Sequence, residues 1–205
     1  RAIALGFYTC ATAYGATASG YKSCATGISS TAIGRNSCAT NTNASAFGYL
    51  SCATNGDATA IGSNSCATSS CATAVGYCAV ASQDASAFGK CVIASGQYSS
   101  AVGYFSDASG VASASFGQDT TASATYASAF GNNSCATGHS ASAFGRRSCA
   151  FGINDLAVGF CAITVPFAGA TNKCPEGNIS IGFCTIAQNG FRCDTTTDFY
   201  LPSIA

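Results

Sequence analysis

Cys10, Cys24, Cys38, Cys52 and Cys66 stand fourteen residues apart without a break, four of them inside the recurring word Ser-Cys-Ala-Thr and the first inside Thr-Cys-Ala-Thr. Thiols can form disulfides, hold soft metals or act as nucleophiles, and each role asks for a partner. The total of fourteen Cys in 205 residues is even and suits an oxidising, extracellular setting. Metal binding is disfavoured, since neither a C-x-x-C pair nor a second soft-ligand cluster is present. Nucleophilic catalysis lacks a base, because His139 is the only histidine and lies among turn residues. Carboxylates are single and scattered, so no acid–base pair is suggested. Stretches such as Gly131-Asn132-Asn133-Ser134 do not match a phosphate loop. The expectation is a protein that is no enzyme and needs no cofactor.

A catalytic motif does not recur every fourteen residues, but a structural element does. Gly6, Gly20, Gly34, Gly48, Gly62 and Gly76 share that spacing, and after the loss of one residue between Ser82 and Ala85, Gly89, Gly103, Gly117, Gly131, Gly145 and Gly159 resume it. Ala stands two before nearly every frame glycine and five after it. The residue just before the glycine is apolar in every repeat but one, where it is Ser19: Leu5, Ile33, Phe47, Ile61, Val75, Phe88, Val102, Phe116, Phe130, Phe144 and Val158. Alternating side chains with β-branched and aromatic residues read as short strands, and Gly, Asn and Asp supply the turns between them. Glycine at both half-periods would break any helix. Repeats of this length stack into a solenoid with parallel rungs, so the fold class is all-β. Lys22, Arg35, Asp57, Lys90, Asp119, Arg146 and Arg147 fall at predicted turns, and Asp107 alone on a predicted strand.

The pattern Ala-Phe-Gly or Ala-Ile-Gly, two variable residues, Ser, one residue, then Ala-Thr/Ser-Gly resembles the head repeat of trimeric adhesins of the YadA-like type, the Hep/Hag 14-residue repeat. The likeness spans residues 3–159 and resumes with Asn178-Ile179-Ser180-Ile181-Gly182. It implies a left-handed parallel β-roll, three chains side by side, and a role in attachment at a cell or virion surface through a cell-surface or glycan receptor.

Alternation puts the Ala columns, the Gly and the Ser of each rung on one face and the Phe/Ile/Val column on the other. Two sheets packed through Ala would make a thin roll. It would leave a wet apolar stripe ~55 Å long at ~4.8 Å per rung, which a homotrimer would cover. A fatter single-chain roll would instead hold Phe, Cys and Thr inside. In-register rungs place equivalent Cα atoms within reach of a disulfide. The candidates are Cys10/Cys24, Cys38/Cys52, Cys135/Cys149, Cys78/Cys91 and Cys161/Cys184, with Cys71 nearest to Cys66, and Cys174 facing Cys193 in the irregular end. Free thiols serving as small apolar residues are the alternative, supported by Val80, Ile93 and Ile163 in the same column; Asp107 and Thr121 there point to exposure.

Asn43, Asn132 and Asn178 open glycosylation sequons. Thr12, Thr26, Thr40, Thr54 and Thr68 form a ladder that admits an ice-binding alternative. Charged residues are 8% of the chain against a usual quarter or so. Net charge is zero, so composition offers no case for nucleic acid or an anionic membrane. The expected organisation is solenoid over 1–159, insertion or cap over 160–177, a last irregular rung over 178–193, and the start of a following domain over 194–205. Without a Met, and with Arg1 already in a repeat, the chain is expected to be a segment of a longer protein.

Overall fold

The structure is a computed structural model that describes residues 1–165 and 177–188. Each rung contributes one strand to each of two parallel sheets, and among the described residues each sheet has thirteen strands. The first sheet runs from Ile3–Phe7 to Ile179–Ile181, the second from Cys10–Ala11 to Ile186–Gln188. Every strand pairs with its equivalent in the next rung, so columns of sequence become columns of structure. Phe116, Phe130 and Phe144 are successive register partners, as are Cys10, Cys24, Cys38, Cys52 and Cys66.

The core is alanine and serine. Ala18, Ala32 and Ala46 in the first sheet meet Ala25, Ala39 and Ala53 in the second, all fully buried. Val92 is the largest fully buried side chain, so the roll is thin and the Phe/Ile/Val column lies outside it. The fatter roll with Phe inside is not formed. Of the buried serines in the turn after the glycine, Ser37, Ser51, Ser65 and Ser148 donate back to the glycine carbonyl, Ser148 to Gly145 at 3.2 Å, whereas the hydroxyls of Ser23, Ser106 and Ser134 find no partner. Where the first-sheet Ala becomes Ser115, the facing position becomes Thr120, and their hydroxyls bond at 2.8 Å. The same exchange recurs as Ser180 with Thr185, also at 2.8 Å.

The frame glycines permit this close stacking. Gly131 has φ 140°, and a Cβ built there would fall on the carbonyl of Gly145. Two turns close each rung, each through a residue at positive φ: Leu50 (53°), Phe105 (51°) and Asn133 (54°) after the glycine, and Asn43 (56°) and Tyr126 (59°) at the far corner. The lost residue is absorbed at that far corner, where Gln83 (54°) and Asp84 (59°) take two consecutive positive φ values. Register is kept on both sides of it, with Thr73 opposite Ser86 and Val80 opposite Ile93.

Stacking continues past Gly159, the last glycine of the regular spacing, with Gly182 taking the next frame position at φ 133°. Ile163–Val165 continues the second sheet between Cys149–Ala150 and Ile186–Gln188, within the stretch expected as an insertion. The buried carboxylate of Asp155 accepts the N–H groups of Gly152 and Asn178, both at 2.7 Å, and fastens the chain where it rejoins the stack. Lys90 differs from the expectation of a turn: it is the last residue of the strand Ser86–Lys90. Cys174, Cys193 and residues 194–205 lie outside the described residues.

Candidate functional site

Two columns on the outer surface carry the residues singled out by the sequence. The first is the apolar column before the glycine. Leu5, Ile33, Ile61, Phe88 and Phe144 are exposed, while Phe47, Val75, Val102, Phe116, Phe130 and Val158 are half-buried against their own neighbours. Phe130 stacks between Phe116 and Phe144, with ring centroids 5.0 and 5.1 Å apart and planes within 2° and 13° of parallel. The column carries no charge from Leu5 to Ile181. The second is the cysteine column on the second sheet, which is unbroken from Cys10 to Cys66 and resumes with Cys135 and Cys149.

The sequence pattern of the YadA head domain repeat matches residues 11–37, 39–65, 94–113, 108–134 and 136–160, more than half of the chain. The chain belongs to the YadA head family. Repeats of this family form non-enzymatic adhesin heads, which stand on the bacterial outer surface in trimeric adhesins. No curated protein matches the chain.

In this YadA head the twelve described cysteines are free thiols. Cys66 is the register partner of Cys52 and extends the ladder to five. Cys71 is not brought to that column. Its N–H bonds the carbonyl of Gly56, in line with Asn43 and Asp57 at the far corner. Cys78 and Cys91 share the turn column after the glycine, and Cys184 sits one rung beyond Cys161 in the same column. Among the described residues no three of His, Cys, Asp or Glu converge as a metal site.

Burial, then the neighbouring thiols of Cys52 and Cys24, pushes Cys38 up to about 11. Cys24, Cys66, Cys135 and Cys149 are raised in the same sense, with burial the largest cause in each. Folded Cys38 therefore holds its proton more tightly than the same thiol in the unfolded chain, which titrates near 9.0. Its contribution to stability is complete below pH 9 and is lost as the pH rises from 9 to about 11. In reduced protein the urea midpoint is expected to fall between pH 8.5 and 10.5, and to fall less in Cys38→Ser. Identical alkaline slopes in the two proteins would contradict this. Asp107, in the same column between Ile93 and Thr121, is also raised by burial, against a lowering hydrogen bond from Ser109. Its Oδ1 has no partner, and its ionised form is the one that the fold disfavours.

The threonine ladder turns its hydroxyls onto the stack. Thr26 donates to the carbonyl of Thr40 at 3.3 Å, Thr40 to that of Thr54 at 3.1 Å, and Thr54 to that of Thr68 at 3.5 Å. An ice lattice would need those donors facing outward. Of the sequon residues, Asn43 lies at a turn and Asn132 ends the strand Ser128–Asn132, and their amides donate to Asp57 (2.9 Å) and Gln118 (3.1 Å). Asn178 is only 4% exposed, and its amide donates to the carbonyl of Val165 at 3.4 Å, which leaves no room for a glycan. His139 lies in an exposed turn, where its Nδ1 is 3.0 Å from the hydroxyl of the adjacent Ser140 and its ring meets Tyr126 edge to face.

Proposed function

We propose that this chain is the attachment head of a homotrimeric surface fibre, with three copies packed through the Phe/Ile/Val column. The observation that carries this is the column itself: apolar, uncharged, one residue per rung, and left half-exposed by a core too thin to receive it. A contiguous apolar stripe of this length, left wet by its own chain, marks an association surface. A parallel three-fold arrangement presents identical columns to one another at identical heights, so each Phe meets Phe. The setting is extracellular, on a cell or virion surface. The faces turned away from the three-fold centre and the turns are what a receptor would meet. Native mass measurement is expected to give three chains, and a stable single chain would overturn the proposal.

The cysteines fit the same reading as staples formed outside the cell. Register partners lie one rung apart, ~4.8 Å, within the Cα range of a disulfide. Each pair would release two electrons and two protons to an extracellular oxidant and close a loop of about fifteen residues, worth ~3 kcal/mol on a chain-entropy estimate. In material from its native surroundings, non-reducing peptide maps are expected to join Cys38 to Cys52 and Cys78 to Cys91. Full labelling of every thiol without prior reduction would refute the staples and leave the trimer standing.

A further inference from the structure

The corner that follows the frame glycine collects the basic residues of a chain that is neutral by count. Lys22, Arg35, Lys90, Arg146 and Arg147 all lie on it, leaving only Arg1 elsewhere among the described residues. Asp119 is the acid on that corner, whereas Asp57 and Asp84 sit at the far one. The cations are interleaved with rings. The guanidinium of Arg35 lies between Tyr21 (5.7 Å to the centroid) and Tyr49 (5.6 Å). The ammonium of Lys90 lies between Tyr77 (6.0 Å) and Tyr104 (5.3 Å). Arg146 lies over Phe160 at 5.5 Å, and Phe160 stacks on Phe183 at 5.0 Å. The four tyrosines remain 39–51% exposed.

We propose that this corner is a binding track for a linear acidic polysaccharide whose carboxylates are separated by neutral sugars. This rests on the attachment reading and names the class of ligand. The exposed parts of the tyrosine rings offer apolar contact to sugar rings, and a guanidinium held between two rings presents its N–H groups to a carboxylate. Spacing selects the polymer. Arg35, Lys90 and Arg146 each follow a frame glycine and are four rungs apart, or ~19 Å at ~4.8 Å per rung. A nucleic acid duplex carries a charge every ~1.7 Å and would leave nearly all of them unpaired. An acidic peptide would use the cations and ignore the rings. Parallel rungs repeat one position along a straight line at a constant step, which matches a repeating polymer. The neighbouring apolar column is uncharged while this one holds three cations, so the trimer contact ends before the corner begins.

The probe is hyaluronan, which alternates acidic and neutral sugars, compared with neutral dextran and with poly-glutamate, on the intact trimer at low salt. Hyaluronan is expected to bind, and added salt to weaken it. Arg35→Gln, Lys90→Gln and Arg146→Gln together are expected to cost about tenfold or more in affinity. Tyr49→Ser with Tyr77→Ser is expected to weaken hyaluronan while leaving any poly-glutamate binding unchanged. Dextran bound as well as hyaluronan, or poly-glutamate bound as tightly, overturns the assignment without recourse to any variant. The mass of the same sample separates the two claims. A trimer that ignores hyaluronan overturns the track alone, whereas a single chain that binds it supports the track and overturns the trimer.

Discussion

With Asp at both Phe130 and Phe144, the chain is expected to lose its three-chain mass. The two rings belong to a stack of three, with Phe130 at its centre 5.0 and 5.1 Å from Phe116 and Phe144, on a face that the Ala core does not cover. A buried Phe is worth ~1.5–3 kcal/mol, and a trimer buries six such rings at these two positions. Replacing them sets six carboxylates against one another in an apolar seam, where each unpaired charge costs several kcal/mol. Phe130→Leu with Phe144→Leu keeps the seam apolar and is expected to stay trimeric, which separates the effect of charge from that of shape. If the Asp variant keeps the mass of three chains and the melting temperature of its parent, the column is not the contact.

Replacing Gly131 by Val is expected to open the stack from within. The residue has φ 140°, and the new side chain would start on the carbonyl of Gly145, a main-chain atom that cannot swing aside. The strands Ser128–Asn132 and Ser142–Phe144 would have to part, breaking the register Phe130 to Phe144. A loss above about 4 kcal/mol follows, in the range reserved for backbone strain and core disruption. Asn133→Gly, two residues on at φ 54°, is expected to change stability by less than about 1 kcal/mol. A urea midpoint for Gly131→Val within error of the parent would show that the rungs are loose enough to admit a side chain at the frame glycine.

Much of the fold was legible because a solenoid's tertiary neighbour lies one period away in sequence. The glycine and alanine columns are contacts written as a spacing, and the shortened turn at 82–85 could be placed from one missing letter. The end of the regular stack was harder. Thr164 stands where Ala was expected, in the stretch from 160 expected as an insertion or cap; yet Thr164 is buried, its hydroxyl donating to the carbonyl of Cys149 at 3.5 Å. Lys90 resembled a turn residue because it is charged. It closes a strand instead, its ammonium held between two tyrosine faces. The Ser115–Thr120 pair was invisible until the two sheets were known to face each other, since five residues of separation mean nothing without the fold. What covers the apolar column depends on other copies of the chain, and a single sequence can only show that the column is there.

The pairing of each rung with the next alone bears on how such a chain comes to be folded at all. Its partners in both sheets are separated by fourteen residues at nearly every step, thirteen across the shortened turn and 23 at the last, in a chain of 205; the usual step is about 0.07 of its length, a value typical of small helical bundles and well below most sheet proteins. No strand waits for a distant segment to be delivered. A chain emerging end-first from a narrow pore can therefore lay down each turn on the one already formed, with the finished edge serving as template. The same locality confines any staple between neighbouring rungs to a single turn, so oxidation at one end of the stack does not constrain the other.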